Sequence, residues 1–291
     1  MIITSDLKYT LLVALIILLL AAAYGLRVAV KGPVHFDRID RQGGSPLLSK
    51  GLMELGYWIL HPVAKLFVFL GITPNKVSWA SLSFGFLAGA CLAVGHFGFG
   101  AIFATISGLL DSLDGIVARI SGVASDAGEV VDAAVDRYVE FFFLSGLIIY
   151  YREVPVLQVL ALLALLGSFM VSYSTTKAEA LKVDPPKGSM RRAERALYLT
   201  LGAALSAVTV PFLETAHREF SIPIGYPMIM ALGLVAVVAN VSSIERFWSI
   251  AEAIRVREKD LAEARTRAAE KVLTEEQEDS QIRRHSADIR L

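Results

Sequence analysis

The chain has 291 residues, 55% of them hydrophobic and only 19% charged, with a mean hydropathy of +0.56 and a formal net charge of zero. That composition excludes an ordinary soluble domain and points to a protein of the membrane, with no nucleic-acid partner expected. Cys91 stands alone as a cysteine, which excludes an intrachain disulfide.

A helix that crosses a bilayer needs about 20 mainly apolar residues, and seven blocks qualify. The first, residues 9–30, has a long apolar stretch, little positive charge ahead of it and no small-x-small cleavage pattern, so it reads as an uncleaved anchor. Residues 31–73 do not span. After a Gly/Pro/Asp-rich connector, residues 46–70 mix apolar runs with Lys50, Glu54, His61 and Lys65, as a helix lying in the interface would, with Tyr57 and Trp58 at headgroup level. Six further spans are expected at 77–97, 99–120, 130–150, 155–176, 197–213 and 226–248, the first of them carrying Gly85 and Gly89 as a close-packing pair. The tail is rich in Glu, Arg, Lys and Ala and reads as a soluble helix. The chain thus divides into an anchor (1–31), a connector with an interfacial helix (32–73), a six-helix transmembrane domain (74–250) and a charged tail (251–291). Lys and Arg gather in alternate loops, including Lys31, Lys50, Lys76, Arg119, Lys182, Arg192 and Arg246. The positive-inside rule puts those loops in the cytoplasm, the N-terminus outside and the C-terminus inside.

Charge where the membrane should exclude it marks the candidate site. Asp111 and Asp114 are three apart near the end of one span, and Asp132 and Asp136 are four apart at the start of the next. Each pair shares one helix face. The stretch between them, ISGVASDAGE at 120–129, is rich in Gly and Ser and can form a hairpin that faces the pairs together. Four converging carboxylates need cations, and Mg²⁺ commonly bridges carboxylates to substrate phosphates. Gly115 and Gly128 would let a phosphate approach the backbone, and Arg119 can meet a phosphate bidentately. Together these groups describe phosphoryl transfer. As charges alone they also fit a salt-bridge network of Arg119 and Arg137 with the aspartates, or a cation path. The five histidines are scattered and form no ligand set.

From Asp111 the chain reads DSLDGIVARISGVASDAGEVVDAAVD, which fills every fixed position of D-x2-D-G-x2-A-R-x8-G-x3-D-x3-D. This resembles the signature of the CDP-alcohol phosphotransferase family, over about residues 70–250, with Thr73-Pro74-Asn75 similar to the family's entry to its first core helix. The resemblance implies an all-α, polytopic, six-helix core, usually homodimeric, to which the first helix and the interfacial helix are additions. It implies transfer of a phosphatidyl group from CDP-diacylglycerol to an alcohol, with release of CMP, in phospholipid biosynthesis. Asp111, Asp114, Asp132 and Asp136 would hold Mg²⁺ or Mn²⁺, two ions in all, with Asp136 also the general base. Asp114, Gly115, Ala118, Arg119 and Gly128 would hold the CDP moiety. The expected setting is a bacterial inner membrane, with the site facing the cytoplasm.

A second cluster, Ser172-Tyr173 before Lys177-Ala178-Glu179 and then Arg191-Arg192-Ala193-Glu194-Arg195, is similar to a branch whose acceptor is itself phosphorylated, the phosphatidylinositol-phosphate synthases and archaeal inositol-lipid synthases. On that comparison Lys177, Arg192 and Arg195 would hold the acceptor's phosphate, and inositol 1-phosphate is the first choice of acceptor. Thr175 stands where the branch carries a basic residue, and Arg191 replaces a glutamate, which keeps glycerol 3-phosphate as a second choice. Readings from other classes are an Asp/Mg²⁺-dependent membrane prenyltransferase, which would carry its two Asp-rich motifs further apart, and a cation transporter, which would place polar groups at several depths.

Overall fold

The computed structural model describes residues 2–32, 49–184, 190–213 and 225–288. Among them the chain is helical throughout, with no strand. Eight α-helices follow in order: α1 (Ile2–Lys31), α2 (Lys50–Phe69), α3 (Pro74–Ala93), α4 (Phe97–Ile120), α5 (Asp126–Tyr150), α6 (Pro155–Ala180), α7 (Arg192–Leu213) and α8 (Tyr226–Asp288). They correspond to the seven expected spans and the interfacial helix. The expected connector lies largely outside the described residues. The last span and the tail differ from expectation in being one unbroken helix of 63 residues.

Two compact units emerge: Met1–Ser172 with Ser189–Ser242, and Tyr173–Gly188 with Ser243–Leu291. The first contains the bundle core. Its centre is a cluster that includes Leu92, Leu144, Leu147, Leu199 and Leu232, all buried. Small residues set the closest approaches. A side chain on Gly85 would meet Val139 at 2.8 Å, and one on Gly146 would strike the carbonyl of Gly89, so α3 and α5 touch backbone to backbone. Without hydrophobic drive between helices in lipid, such contact is what holds them.

Among the described residues six helices are long and apolar enough to cross a membrane: α1 to α4, α6 and α8. Asp132, Asp136, Arg137 and Glu140 interrupt the apolar run of α5, whereas in α7 Arg192, Glu194 and Arg195 stand in the first turn, ahead of the apolar stretch 196–213. The position of α2 is decided by its contacts. Leu60 and Ala64, at its middle, pack against Val77 at the start of α3 and Leu113, Ile116 and Val117 near the end of α4.

The added helix α1 runs parallel to α4. Both carboxylate oxygens of Asp6 accept backbone N–H groups at the start of α4, from Gly98 at 2.9 Å and Phe99 at 2.7 Å. That is a helix cap supplied by another helix, placed where the α4 dipole favours negative charge. At the other end, the Tyr24 hydroxyl donates to Glu54 of α2 at 3.1 Å, and its ring lies 5.6 Å from that of Trp58.

Candidate active site

The hairpin between α4 and α5 is built as its sequence suggests. Gly122 takes φ +69°, a left-handed position that ends α4 and suits glycine. Ser125, in extended backbone, then caps α5 by accepting the Gly128 N–H at 3.2 Å. The tight turn brings the end of α4 beside the start of α5. Carboxylate oxygens of Asp111, Asp132 and Asp136 lie within 4.8 Å of one another. Asp132 Oδ1 is buried with no hydrogen-bond partner, an orphaned acceptor of the kind a metal ion satisfies. Three acidic oxygen donors on rigid helices fit a hard divalent cation.

Asp114, the fourth motif aspartate, stands apart from that group. It is buried, and its Oδ2 accepts the Ser78 hydroxyl of α3 at 2.6 Å. On the same stretch of α4, Arg119 reaches over Gly115, whose missing side chain would lie 3.2 Å from its Nη1. Arg119 Nη2 donates to the Tyr57 hydroxyl of α2 at 3.1 Å. Its guanidinium is exposed, beside a bare backbone.

The salt-bridge reading is realised with a different arginine. Arg137 lies 3.9 Å from Asp136, but the principal cation is Arg192, at the start of α7. Its Nη1 meets both oxygens of Asp111 at 3.3 and 3.4 Å, and its Nη2 pairs with Asp136. Arg195, one turn on, is wholly buried. It grips Glu140 of α5 with two bonds, at 2.8 and 3.2 Å, and donates to the carbonyl oxygens of Ser168 and Met190. Asp111, Asp136, Glu140 and Arg192 line the polar end of a cavity whose inner wall includes Gly85, Ala88, Phe143 and Leu199. Its volume is about 70 Å³.

Lys177 belongs to the second unit, where it is exposed. In that unit Arg246 of α8 donates to the Thr175 hydroxyl at 3.0 Å, and Arg257 donates to the Leu181 carbonyl. Thus the structure brings Asp111, Asp132, Asp136 and Arg192 together, with Asp114, Gly115 and Arg119 on the same end of α4. The sequence reading missed Ser78, Tyr57 and Glu140. Glu140 had a signal, its place four residues after Asp136 on one helix face. Ser78 and Tyr57 had none.

Comparison with known proteins agrees with the motif. The profile of the family described as CDP-alcohol phosphatidyltransferase matches residues 71–239. The phosphatidylinositol phosphate synthase of Corynebacterium glutamicum is 30% identical over 161 residues, 53% of this chain and 73% of that protein. The archaetidylinositol phosphate synthase of Pyrococcus horikoshii is 32% identical over 164 residues, 52% of this chain and 79% of that protein. In fold, the chain is similar to a Mycobacterium tuberculosis phosphatidylinositol phosphate synthase crystallised with manganese and citrate, with TM-score 0.57 and 24% identity over 66% of this chain and 88% of that one. A second structure of that enzyme, with CDP-DAG bound, has TM-score 0.56 over 66% of this chain and 93% of that one. These findings leave no place for the prenyltransferase and transporter readings: the chain is an integral membrane enzyme and belongs to the CDP-alcohol phosphatidyltransferase family.

Proposed function

We propose that this enzyme transfers the phosphatidyl group of CDP-diacylglycerol to a phosphorylated alcohol, inositol 1-phosphate before others, and releases CMP. The observation that carries the reading is the gathering of Asp111, Asp132 and Asp136, two of which line one cavity together with Arg192. Asp111, Asp132 and Asp136, with Asp114 next to them, would hold Mg²⁺ or Mn²⁺, two ions in all. A divalent ion held there would supply charge to neutralise the pyrophosphate, which would make CMP a better leaving group. Arg119, over the bare backbone of Gly115, suits the CDP phosphates, with Ala118 and Gly128 completing that side. The acceptor hydroxyl attacks the phosphatidyl phosphorus. Its oxygen–phosphorus bond forms as the bond to CMP breaks, and its proton passes to Asp136.

Relatives named for inositol phosphate lipids support the acceptor, as does a guanidinium in the same cavity. Arg192 is the residue we assign to the acceptor's phosphate. Arg195 serves that site through the backbone of α7, since its own donors are taken. The basic loops favour a cytoplasmic site in a bacterial inner membrane, and assembly as a homodimer completes the proposal.

The test is CMP release from CDP-diacylglycerol by the purified protein, with inositol 1-phosphate, glycerol 3-phosphate, inositol or serine added singly. Release is expected with inositol 1-phosphate and Mg²⁺, to stop with EDTA and return with Mg²⁺ or Mn²⁺, and to fall about 10²–10⁴-fold in Asp136→Asn. Release with glycerol 3-phosphate alone would replace the acceptor. No release with any acceptor would refute the reading.

A further inference from the structure

Arg192 holds the oxygens that the proposed metal centre would use. Its Nη1 lies 3.3 and 3.4 Å from the two oxygens of Asp111, its Nη2 lies 3.3 Å from Asp111 Oδ1, and its Nη2 also pairs with Asp136. Asp111 and Asp136 are two of the three carboxylates that converge. A divalent ion binds such oxygens directly, at about 2.0–2.2 Å for Mg²⁺. A guanidinium seated on the same oxygens would be pressed against a doubly charged ion of like sign.

The two arginines of α7 are held differently. Arg195 has no exposed side-chain surface, and four bonds fix it to Glu140, Ser168 and Met190. Arg192 has 31% of its side chain exposed, stands at the first position of α7, and bonds here only to carboxylates. The helix is pinned one turn away by Arg195, while the Arg192 side chain borders the cavity. Movement would therefore be confined to that side chain.

We propose that Arg192 is a resident counter-cation of the carboxylate cluster, displaced when a divalent ion binds, and that displacement frees its guanidinium for an incoming phosphate. Ion and arginine exclude one another from Asp111 and Asp136. The same exclusion makes ion and phosphate cooperative: the ion releases the arginine, and the phosphate holds it away. Reciprocity requires that each ligand tighten the other by one factor. The inference rests on the metal-centre reading and adds a coupling between ion and acceptor.

Mn²⁺ binding, read by electron paramagnetic resonance on the detergent-purified full chain without CDP-lipid, tests this apart from activity. Arg192→Gln is expected to bind Mn²⁺ at least ten-fold more tightly than the wild type. Arg192→Lys, which keeps a charge but loses the two-pronged reach, is expected to fall between them and covers the case in which Arg192→Gln does not fold. Arg152→Gln, exposed beyond the far end of α5, is expected to match the wild type. Inositol 1-phosphate, at fixed free Mn²⁺, is expected to raise Mn²⁺ occupancy in the wild type and not in Arg192→Gln. Equal or weaker Mn²⁺ binding in both Arg192 variants would overturn the inference and leave the metal centre standing. Absence of Mn²⁺ binding in every protein would overturn both.

Discussion

Glu140→Gln isolates the buried pair on which α7 rests. The substitution keeps shape and an acceptor oxygen but removes the charge facing Arg195, which has no exposed surface. A guanidinium stripped of its partner inside a protein costs about 3–5 kcal/mol. At about 2–4 °C per kcal/mol for a chain of this size, the melting temperature should fall by about 6–20 °C. Cys91 provides the assay, because it is the only thiol in the sequence and is only partly exposed in the fold. A thiol-reactive fluorophore will then report unfolding in detergent on heating. The double variant Glu140→Met with Arg195→Met removes both charges together and should recover most of the loss, since an apolar replacement of a buried pair is often neutral or better. A melting temperature for Glu140→Gln within about 2 °C of wild type, below the smallest fall expected, would refute the assignment. So would a double variant as unstable as the sum of the singles, because independent sites add.

Three further substitutions probe other contacts. Ser78→Ala removes the hydroxyl that donates to Asp114; a bond to a charged group is worth about 1.5–3 kcal/mol, so kcat/KM should fall about 10–100-fold in the CMP-release assay, with the melting temperature little changed. Tyr57→Phe removes the hydroxyl that accepts from Arg119 and should raise KM for CDP-diacylglycerol by about 2- to 10-fold, with kcat near wild type. Gly98→Val would drive a side chain into Asp6, which lies 2.6 Å from the position of a Cβ. It should undo the cap that joins α1 to α4, seen as faster proteolysis within residues 2–31 at an activity that stays near wild type.

The sequence made the bundle legible because the bilayer imposes one length and one polarity on every span, and the motif aspartates stood out because charge there is costly. Their convergence was also readable, since the spacings within α4 and α5 and the short hairpin are local. Partners from distant helices were not. Ser78 lies 36 residues from Asp114, Glu140 55 from Arg195, Tyr57 62 from Arg119 and Arg192 81 from Asp111. Periodicity places a residue on a face but does not say which neighbour that face meets. Hence the resemblance put Lys177, Arg192 and Arg195 alike on an acceptor's phosphate, although packing fixes Arg195 on Glu140 and leaves Arg192 at the cavity.

These distant partners explain how four aspartates coexist at the end of a membrane bundle. A buried carboxylate needs either a hydrogen bond or a counter-charge, and each aspartate meets that need differently. Asp114 takes a neutral hydroxyl, so its charge stays uncompensated at close range. Asp111 and Asp136 share one guanidinium. Asp132 keeps a buried oxygen with no hydrogen-bond partner. The cluster is therefore short of positive charge: among the described residues Asp111 and Asp136 share Arg192, Arg137 stands 3.9 Å from Asp136, and Asp114 and Asp132 have no cation in direct contact. A site left in that state favours a further cation strongly, and it favours one that can reach several oxygens at once, as a divalent ion does and a lysine or a water does not. The same shortfall predicts that the aspartates will not be equivalent to mutation. Loss of Asp111 or Asp136 takes one of two partners from Arg192 as well as a ligand position, whereas loss of Asp132 removes an oxygen that no hydrogen bond holds.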